Sequence, residues 1–345
     1  MSRTTVDPAI LRALGLDPSS DSMSASITSH GGSGFSSTYK LRVITKEKEK
    51  EKVYFVKTGI GSDAANMFLG EHHSLNAIHS VLPSFCPRSY AHGSMSSTSS
   101  NQHFLVTDFL DLVHSSASAR ASGPTGSGSG ESFAAKLAKM HTTPAPIPEG
   151  RGDKPMFGFP VPTYCGATEQ DNAWKEDWAE FYADNRLRHI LRKAEEKNGN
   201  RKDKELSDAV ETVASKVVPR LLGEQTIGKV TPVLIHGDLW SGNQGRGRFS
   251  DDDGSVSVEA VVYDPAAVYG HSEYELGIMN MFGGFGEAGF WKEYGELVPK
   301  GEPKEEWEDR VALYELYHHL NHYALFGGGY RGGAMSIMKK LIAKY

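Results

Sequence analysis

The eight residues 236–243, HGDLWSGN, constrain the fold more than any other stretch of this chain. They follow the apolar run VLI (233–235), which is typical of a short buried strand, and their glycine, serine and asparagine residues indicate a loop. Loops that a rigid scaffold holds in place often carry reactive side chains. This loop sets Asp238 two residues after His236, and Asn243 five residues after Asp238. We therefore expect the chemistry of the protein to be centred here.

The spacing His-x-Asp-x4-Asn matches the catalytic loop of kinases, which transfer phosphoryl groups with a small set of further parts. The same chain contains those parts in the expected order: a glycine-rich turn between strands (Gly31, Gly32, Ser33 and Gly34), a strand-ending lysine (Lys57), a glutamate on the following helix (Glu71), and an aspartate after a later strand (Asp264). Glycine backbone can approach phosphates closely. Asparagine and aspartate oxygens are hard ligands suited to Mg²⁺.

Each of these parts also has an ordinary structural interpretation. The glycine-rich run is typical of a simple turn, and a strand-ending lysine such as Lys57 is usually solvated. Glu71 fits an exposed helix face, and Asp264 fits an Asp-Pro turn that opens a helix. All five parts in this order, on these predicted elements, are difficult to obtain by chance. We therefore interpret the chain as kinase-like, with Asp238 and Asp264, 26 residues apart, acting on one bound nucleotide.

The apolar stretch HFLVTDFL (103–110) predicts a strand, and its end predicts a hinge. Asp108, Phe109 and Leu110 would offer backbone groups to the adenine edge and apolar walls to its faces. An ordinary core strand explains the same pattern, and both descriptions can hold together.

The order of predicted elements indicates an α+β, two-lobed fold. We expect residues 1–110 to form a β-rich nucleotide-binding lobe and the Ser/Gly-rich residues 111–131 to form a hinge and flexible linker. We expect residues 132–345 to form a helical lobe with the catalytic loop. Near the start, Asp7 should cap a short helix over 7–16.

The amino-acid composition and net charge argue against several classes of protein. The formal net charge is −6, which argues against nucleic acid as the main partner. Two cysteines, Cys86 and Cys165, are too few for a disulfide framework and are expected to be inert core residues in a reducing compartment. Neither a secretory signal nor a run long enough to span a bilayer is visible, so a cytoplasmic protein without membrane contact is expected.

The loop HGDLWSGN, followed by YDPAAVYGHSEYELGIMNMFGGF (263–285), resembles the fructosamine-3-kinase/ketosamine-3-kinase family, a branch of the protein-kinase-like superfold related to aminoglycoside and choline phosphotransferases. Further matching stretches lie at 157–166, 177–187 and 313–332. The resemblance covers roughly residues 23–345. It implies ATP and Mg²⁺ as cofactors and phosphorylation of the third-carbon hydroxyl of ketosamines, on small molecules or on glycated protein lysines. The phosphorylated adduct then breaks down and frees the amine, which is deglycation repair.

The resemblance also implies roles for individual residues. Asp238 corresponds to the catalytic base, Asn243 and Asp264 to the metal ligands, and Lys57 with Glu71 to the ion pair that serves the nucleotide. Residues 108–110 correspond to the hinge.

Three residues are candidate substrate contacts: Trp240, His271 and Glu273. The Trp240 ring could pack against the sugar or, equally well, be a core aromatic residue that holds the loop in place. His271 could contact sugar hydroxyls or help to start a helix. For Ser272 we favour a helix N-cap, with Glu275 completing a capping box.

One departure from the family is that residues 30–34, HGGSG, lack the cysteine that many members carry in the glycine-rich loop. Redox control through that cysteine is therefore in doubt, and we expect a monomer or a weak dimer. Two alternatives stay open: a kinase of the aminoglycoside or choline type, and a non-catalytic pseudokinase that only binds its ligand.

Overall fold

A computed structural model describes residues 6–32, 36–45, 50–96, 101–113, 130–199, 202–249, 257–285 and 288–345. The chain divides into two compact units. The first comprises Met1–Glu131 and Gly245–Asp264, and the second comprises Ser132–Gln244 and Pro265–Tyr345. Ser33 and Gly34, most of the predicted linker and the charged residues 46–49 lie outside the described residues.

The first unit is rich in strands. Its helices are α1 (Pro8–Ala13) and α2 (Gly61–Val81), and its strands are β1 (Met23–Gly32), β2 (Ser37–Thr45), β3 (Lys50–Ile60), β4 (Ser89–Ser94), β5 (Gln102–Asp108), β6 (Leu110–Leu112), β10 (Gln244–Phe249, from Gly245 onward) and β11 (Glu259–Val262). Strands β1–β5 form an antiparallel sheet in the order β1-β2-β3-β5-β4, and β6, β10 and β11 form a second sheet in the order β11-β10-β6.

The five-stranded sheet packs against one helix on each face. Successive side chains along a strand point to opposite faces, so both faces of the sheet carry apolar residues. On β5, Phe104 and Val106 join the core cluster that contains Ile10 of α1. The intervening Leu105 packs with Phe68 of α2 on the opposite face. Asp7 caps α1 through a 2.8 Å hydrogen bond from the backbone nitrogen of Ala9, which confirms the predicted cap.

The second unit is mostly helical. Its helices are α3 (Phe133–Thr142), α4 (Trp178–Phe181), α5 (His189–Lys197), α6 (Lys204–Thr212), α7 (Val218–Leu222), α8 (Glu224–Ile227), α9 (Glu273–Phe282), α10 (Ala288–Leu297), α11 (Trp307–Phe326) and α12 (Tyr330–Lys344). Its short strands pair as β7 (Thr163–Cys165) with β8 (Thr168–Gln170), and as β9 (Val233–Ile235) with β12 (Val268–Gly270).

The core of the second unit forms around α11, whose buried side chains include Leu313, Tyr314 and Leu320. Helices α4 and α5 belong to one continuous helical region, in which the π-helical segment Tyr182–Arg188 lies between them. Another π-helical segment, Val213–Val217, joins α6 to α7. Among the described residues, none of the helices is long and apolar enough to cross a membrane.

The prediction that all of residues 132–345 form one lobe is wrong for residues 245–264, which belong to the first unit. The cause is backbone pairing. Strand β10 pairs with β6, matching Gly247 with Leu112, and the backbone nitrogen of Val262 donates to the Phe85 carbonyl at 2.8 Å. The catalytic-loop residues and Asp264 therefore belong to different units of the chain.

Candidate active site

Lys57 and Glu71 form a close ion pair within the first unit. The Lys57 Nζ atom donates to both carboxylate oxygens of Glu71, at 2.8 and 3.0 Å. Alternation on β3 puts Val56 into the core that includes α1 and leaves Lys57 on the opposite face. On α2, Glu71 lies three residues after Phe68 and four before Leu75, so it shares the buried face of the helix. The sequence therefore predicts this pair correctly as a contact.

Asp264 also contacts the lysine, since its Oδ1 atom accepts from Lys57 Nζ at 2.6 Å. Its backbone adopts a left-handed conformation with a φ of 55°, which aspartate tolerates better than most residues. Burial opposes the charged form of Lys57, but the carboxylates of Asp264 and Glu71 outweigh it and raise its pKa. Burial raises the pKa of Glu71, although Lys57 works against that shift. The lysine is therefore held as a cation.

The predicted hinge residues begin where β5 ends. The Asp108 carboxylate accepts from the backbone nitrogen of Arg88 at 2.9 Å and from the Tyr90 hydroxyl at 2.6 Å. These hydrogen bonds connect the end of β5 to the start of β4. Phe109 is buried, with the Lys40 ammonium 4.0 Å above its ring centre, and Leu110 opens β6. Adenine binding by these backbone groups stays a prediction.

The glycine-rich turn is described only in part. Gly31 and Gly32 end β1, and Gly31 has a φ of 76°, a conformation that favours glycine. The Thr38 hydroxyl of β2 donates to the His30 carbonyl at 2.5 Å and closes the hairpin at this point. The side chain of His30 lies 5.1 Å from the Phe109 ring, centre to centre. The residue that precedes the glycine-rich turn, His30, thus contacts the predicted hinge residue Phe109.

The catalytic loop in the second unit leaves β9 through a turn that only glycine can make. Gly237 has a φ of 82°, and a Cβ atom there would lie 2.1 Å from the Ala266 carbonyl oxygen. The backbone nitrogen of Ala266 donates to the His236 carbonyl at 2.8 Å, which extends the β9–β12 pairing into the loop. The loop is therefore fixed from its first residue.

Asp238 and Asn243 lie side by side, as their spacing predicts. The Asn243 Nδ2 atom donates to the Asp238 carbonyl at 2.9 Å and to its Oδ2 atom at 3.4 Å. Both hydrogen bonds come from the amide nitrogen, so they do not use the Asn243 Oδ1 atom, which is an acceptor of the kind that can serve as a ligand. The loop closes with a 2.9 Å hydrogen bond from the Asn243 nitrogen to the Trp240 carbonyl.

Cys165 contributes a contact that the sequence did not reveal. Its thiol donates to the Asp238 Oδ1 atom across 3.6 Å, and its side chain is buried at the end of β7. Burial, with a further contribution from the Asp238 carboxylate, raises the pKa of the thiol well above its ordinary value. Its burial fits the predicted place of Cys165 in the core, and its thiol also contacts the candidate base.

Glu275 anchors the catalytic loop, a role that the sequence does not predict. Its fully buried carboxylate accepts from the backbone nitrogens of His236 at 2.5 Å and Gly237 at 3.0 Å. The His141 Nε2 atom lies 3.7 Å from the same carboxylate, and the Tyr294 hydroxyl contacts His141 Nδ1 at 2.7 Å. Nothing in the local sequence around Glu275 indicates that its side chain accepts hydrogen bonds from backbone groups far away in the chain.

The predicted capping box at the start of α9 is wrong. Ser272 has helical backbone angles and makes no side-chain cap hydrogen bond, and Glu275 faces the catalytic loop instead. The Glu275 side chain therefore binds the backbone of the catalytic loop and does not cap its own helix.

Glu273 and His271 are placed in structural contacts. The Glu273 carboxylate accepts from Arg310 at 2.7 and 3.1 Å and from the backbone nitrogen of Gly301 at 2.9 Å, in a buried ion pair. His271 Nδ1 contacts the Tyr314 hydroxyl at 2.9 Å, and burial lowers its pKa to about 4. These arrangements favour structural roles for both residues, against the predicted substrate contacts.

Trp240 is exposed on the catalytic loop, with 40% of its surface accessible. Its ring lies against Gly242, where a Cβ atom would come within 2.1 Å of the ring. The ring also contacts Phe282 of α9 at a centre-to-centre distance of 6.0 Å. The core interpretation of Trp240 does not fit this exposure, whereas a ligand-facing role does.

Comparisons with known proteins agree with this geometry. Residues 17–344 match the family model described as fructosamine kinase. The chain is 33% identical to ketosamine-3-kinase of Mus musculus over 334 residues, which are 92% of this chain and 96% of the relative. It is 35% identical to protein-ribulosamine 3-kinase, chloroplastic, of Arabidopsis thaliana over 285 residues, covering 83% of this chain and 74% of the relative.

The fold is also found among solved structures. A crystal structure from Thermobifida fusca, described as a candidate fructosamine-3-kinase, superimposes with a TM-score of 0.67 at 23% identity, covering 99% of both chains. This likeness confirms the predicted α+β, protein-kinase-like fold class with its β-rich N-terminal part and helical C-terminal part. The resemblance inferred from the sequence motifs is confirmed as well, and the chain belongs to the fructosamine kinase family.

Proposed function

We propose that this protein is an ATP-dependent kinase that phosphorylates the 3-hydroxyl group of ketosamines, such as fructosyl-lysine and ribulosyl-lysine. The observation that carries the proposal is the catalytic loop, in which Asp238 is held by Cys165 and Asn243 on a backbone anchored by Glu275. Curated relatives that span most of the chain are named as ketosamine and ribulosamine 3-kinases. Breakdown of the phosphorylated adduct would then release the amine.

Each charged residue has a chemical role in this proposal. Lys57, held by Glu71, binds phosphate oxygens of ATP as a cation. Asp238 accepts the proton of the attacking sugar hydroxyl as the new phosphorus–oxygen bond forms and the bond between the γ-phosphorus and the bridging oxygen of ATP breaks, which releases ADP. The orientation of Asp238 before substrate arrives reduces the reorganisation required in the transition state.

The donor set suits Mg²⁺. The Asn243 Oδ1 atom and the Asp264 carboxylate are each hard oxygen groups of the kind that Mg²⁺ prefers, and each is a candidate ligand within its own unit of the chain. Asp264 is half exposed, with 53% of its side-chain surface accessible, so its carboxylate can reach a ligand as well as Lys57. When bound, Mg²⁺ would neutralise charge on the phosphate groups of ATP.

A substrate panel tests the proposal. The purified protein is incubated with ATP and either fructosyl-lysine, ribulosyl-lysine, choline or kanamycin, and ADP release is measured. We expect turnover with the two ketosamines only. Turnover restricted to choline or kanamycin would instead assign the aminoglycoside or choline type of kinase, and ATP binding without turnover of any substrate would assign a pseudokinase.

The Lys57→Met variant should lower kcat/KM for ATP by about 30-fold, because a charge-assisted contact to phosphate is lost. The change also leaves the Glu71 and Asp264 carboxylates near each other without their shared cation. The measurement is the initial rate at varied ATP and saturating ketosamine. Lys154→Met is the matched control, since Lys154 forms a solvent-exposed pair with Glu176. Equal kinetics in both variants would refute the assigned role of Lys57.

A further inference from the structure

Five aromatic side chains form a continuous strip on the second unit, which we call the aromatic strip. Its members are Trp240, Phe282, His322, Phe326 and Tyr330. Successive ring centres are 6.0 Å apart from Trp240 to Phe282, 5.1 Å from Phe282 to His322, 5.7 Å from His322 to Phe326 and 6.3 Å from Phe326 to Tyr330. The strip thus connects the catalytic loop with α9, α11 and the start of α12.

The strip faces solvent. Trp240, Phe282 and Phe326 are 40%, 41% and 64% accessible, and they are the three aromatic residues among the exposed large hydrophobic side chains of the described chain. Contiguous exposed apolar surface of this kind marks a binding site more often than scattered single residues do. Aromatic rings also give large contact area with few rotatable bonds.

The position of the strip suggests what it binds. It begins on the catalytic loop, where the Trp240 backbone nitrogen donates to the Asp238 carbonyl at 3.1 Å. In a ketosamine the reacting sugar is joined to an amine, and in glycated lysine about 6 Å of aliphatic side chain separates that amine from the peptide backbone. This length is close to the distance between the centres of neighbouring rings in the aromatic strip. With the sugar at Asp238, the backbone of the glycated lysine would lie about one ring beyond Trp240, and the neighbouring peptide residues, at roughly 3.3 Å each, would extend over Phe326 and Tyr330.

The charge of the substrate fits as well. The amine of a ketosamine is a cation when protonated, and aromatic faces attract cations. The lysine methylene groups and neighbouring peptide side chains offer apolar surface to the same rings. We propose that the aromatic strip binds the amine-bearing part of the substrate and that its occupant is the peptide segment around a glycated lysine. This inference rests on the proposed ketosamine kinase function.

The test compares two substrates with the same sugar. One is a short peptide with a fructosylated or ribulosylated lysine, and the other is the corresponding ketosamine of methylamine, which lacks any peptide. The ratio of kcat/KM for the peptide to kcat/KM for the methylamine adduct is measured for the wild type, Phe326→Ala, Tyr330→Ala and Ile147→Ala. We expect Phe326→Ala to lower this ratio about 10-fold, through KM for the peptide, and Tyr330→Ala to lower it less.

Ile147→Ala is the matched control, because Ile147 is 47% accessible and lies outside the strip. It should leave the ratio unchanged. An unchanged ratio in both Phe326→Ala and Tyr330→Ala would overturn the inference while leaving the kinase assignment intact. A change in oligomeric mass caused by Phe326→Ala would also overturn it, since the strip would then be a self-association surface. A wild type that phosphorylates neither substrate would refute the proposed function and this inference with it.

Discussion

Replacing Asp238 by asparagine should lower kcat about 1,000-fold while ATP still binds, the size of effect expected when a positioned base is removed. Asparagine has nearly the same shape as aspartate, so the contact from Cys165 to the side-chain oxygen and the contact from Asn243 to the backbone carbonyl can be retained. The asparagine amide cannot accept the proton of the sugar hydroxyl. The measurements are ADP release at saturating substrates and the dissociation constant for ATP by calorimetry.

Asp153→Asn serves as the control for Asp238→Asn, because Asp153 is an exposed aspartate in the same unit. This control should have wild-type kinetics. A near-normal kcat in Asp238→Asn would show that another group accepts the proton, and it would remove the central residue from the proposed mechanism. A loss of ATP binding equal to the loss of kcat would show a structural role instead.

Replacing Glu275 by alanine should lower the free energy of unfolding by about 4 kcal/mol, because two buried backbone N–H groups lose their acceptor. Those groups belong to His236 and Gly237, so the loop that carries Asp238 should also lose its fixed position. We expect a fall in kcat in whatever fraction remains folded. Chemical denaturation monitored by tryptophan fluorescence gives the stability change.

Glu275→Gln separates anchoring from general destabilisation. Glutamine keeps one acceptor oxygen, so its unfolding free energy should lie between those of the wild type and Glu275→Ala. Glu176→Ala is the surface control, since Glu176 is 62% exposed and pairs with Lys154 in a solvent-exposed contact. If Glu275→Ala proved as stable as Glu176→Ala, the loop would have another anchor.

The sequence predicted the parts of the site whose positions follow from local periodicity. Alternation along β3 and the helical spacing of α2 bring Lys57 and Glu71 together, and five-residue spacing in a tight loop brings Asn243 beside Asp238. The left-handed turn at Gly237 is likewise a local requirement. These features depend on residues close in sequence or on one helix packed against one strand.

The features that the sequence did not predict depend on contacts between residues far apart in the chain. Glu275 looked like a helix-capping residue, but it satisfies backbone groups 38 and 39 positions earlier. Glu273 looked available for substrate, but Arg310 binds it in the core. The placement of residues 245–264 in the first unit depends on pairing with β6, which no local pattern reveals.

The most direct test of the proposed function is the identity of the product. After incubation of the wild type with ATP and fructosyl-lysine, two-dimensional ³¹P–¹H NMR shows which sugar hydroxyl carries the phosphate. We expect one new phosphomonoester, whose phosphorus couples to the proton on the third carbon of the sugar. Phosphate on any other hydroxyl, or release of inorganic phosphate from ATP without any consumption of fructosyl-lysine, would contradict the proposed function.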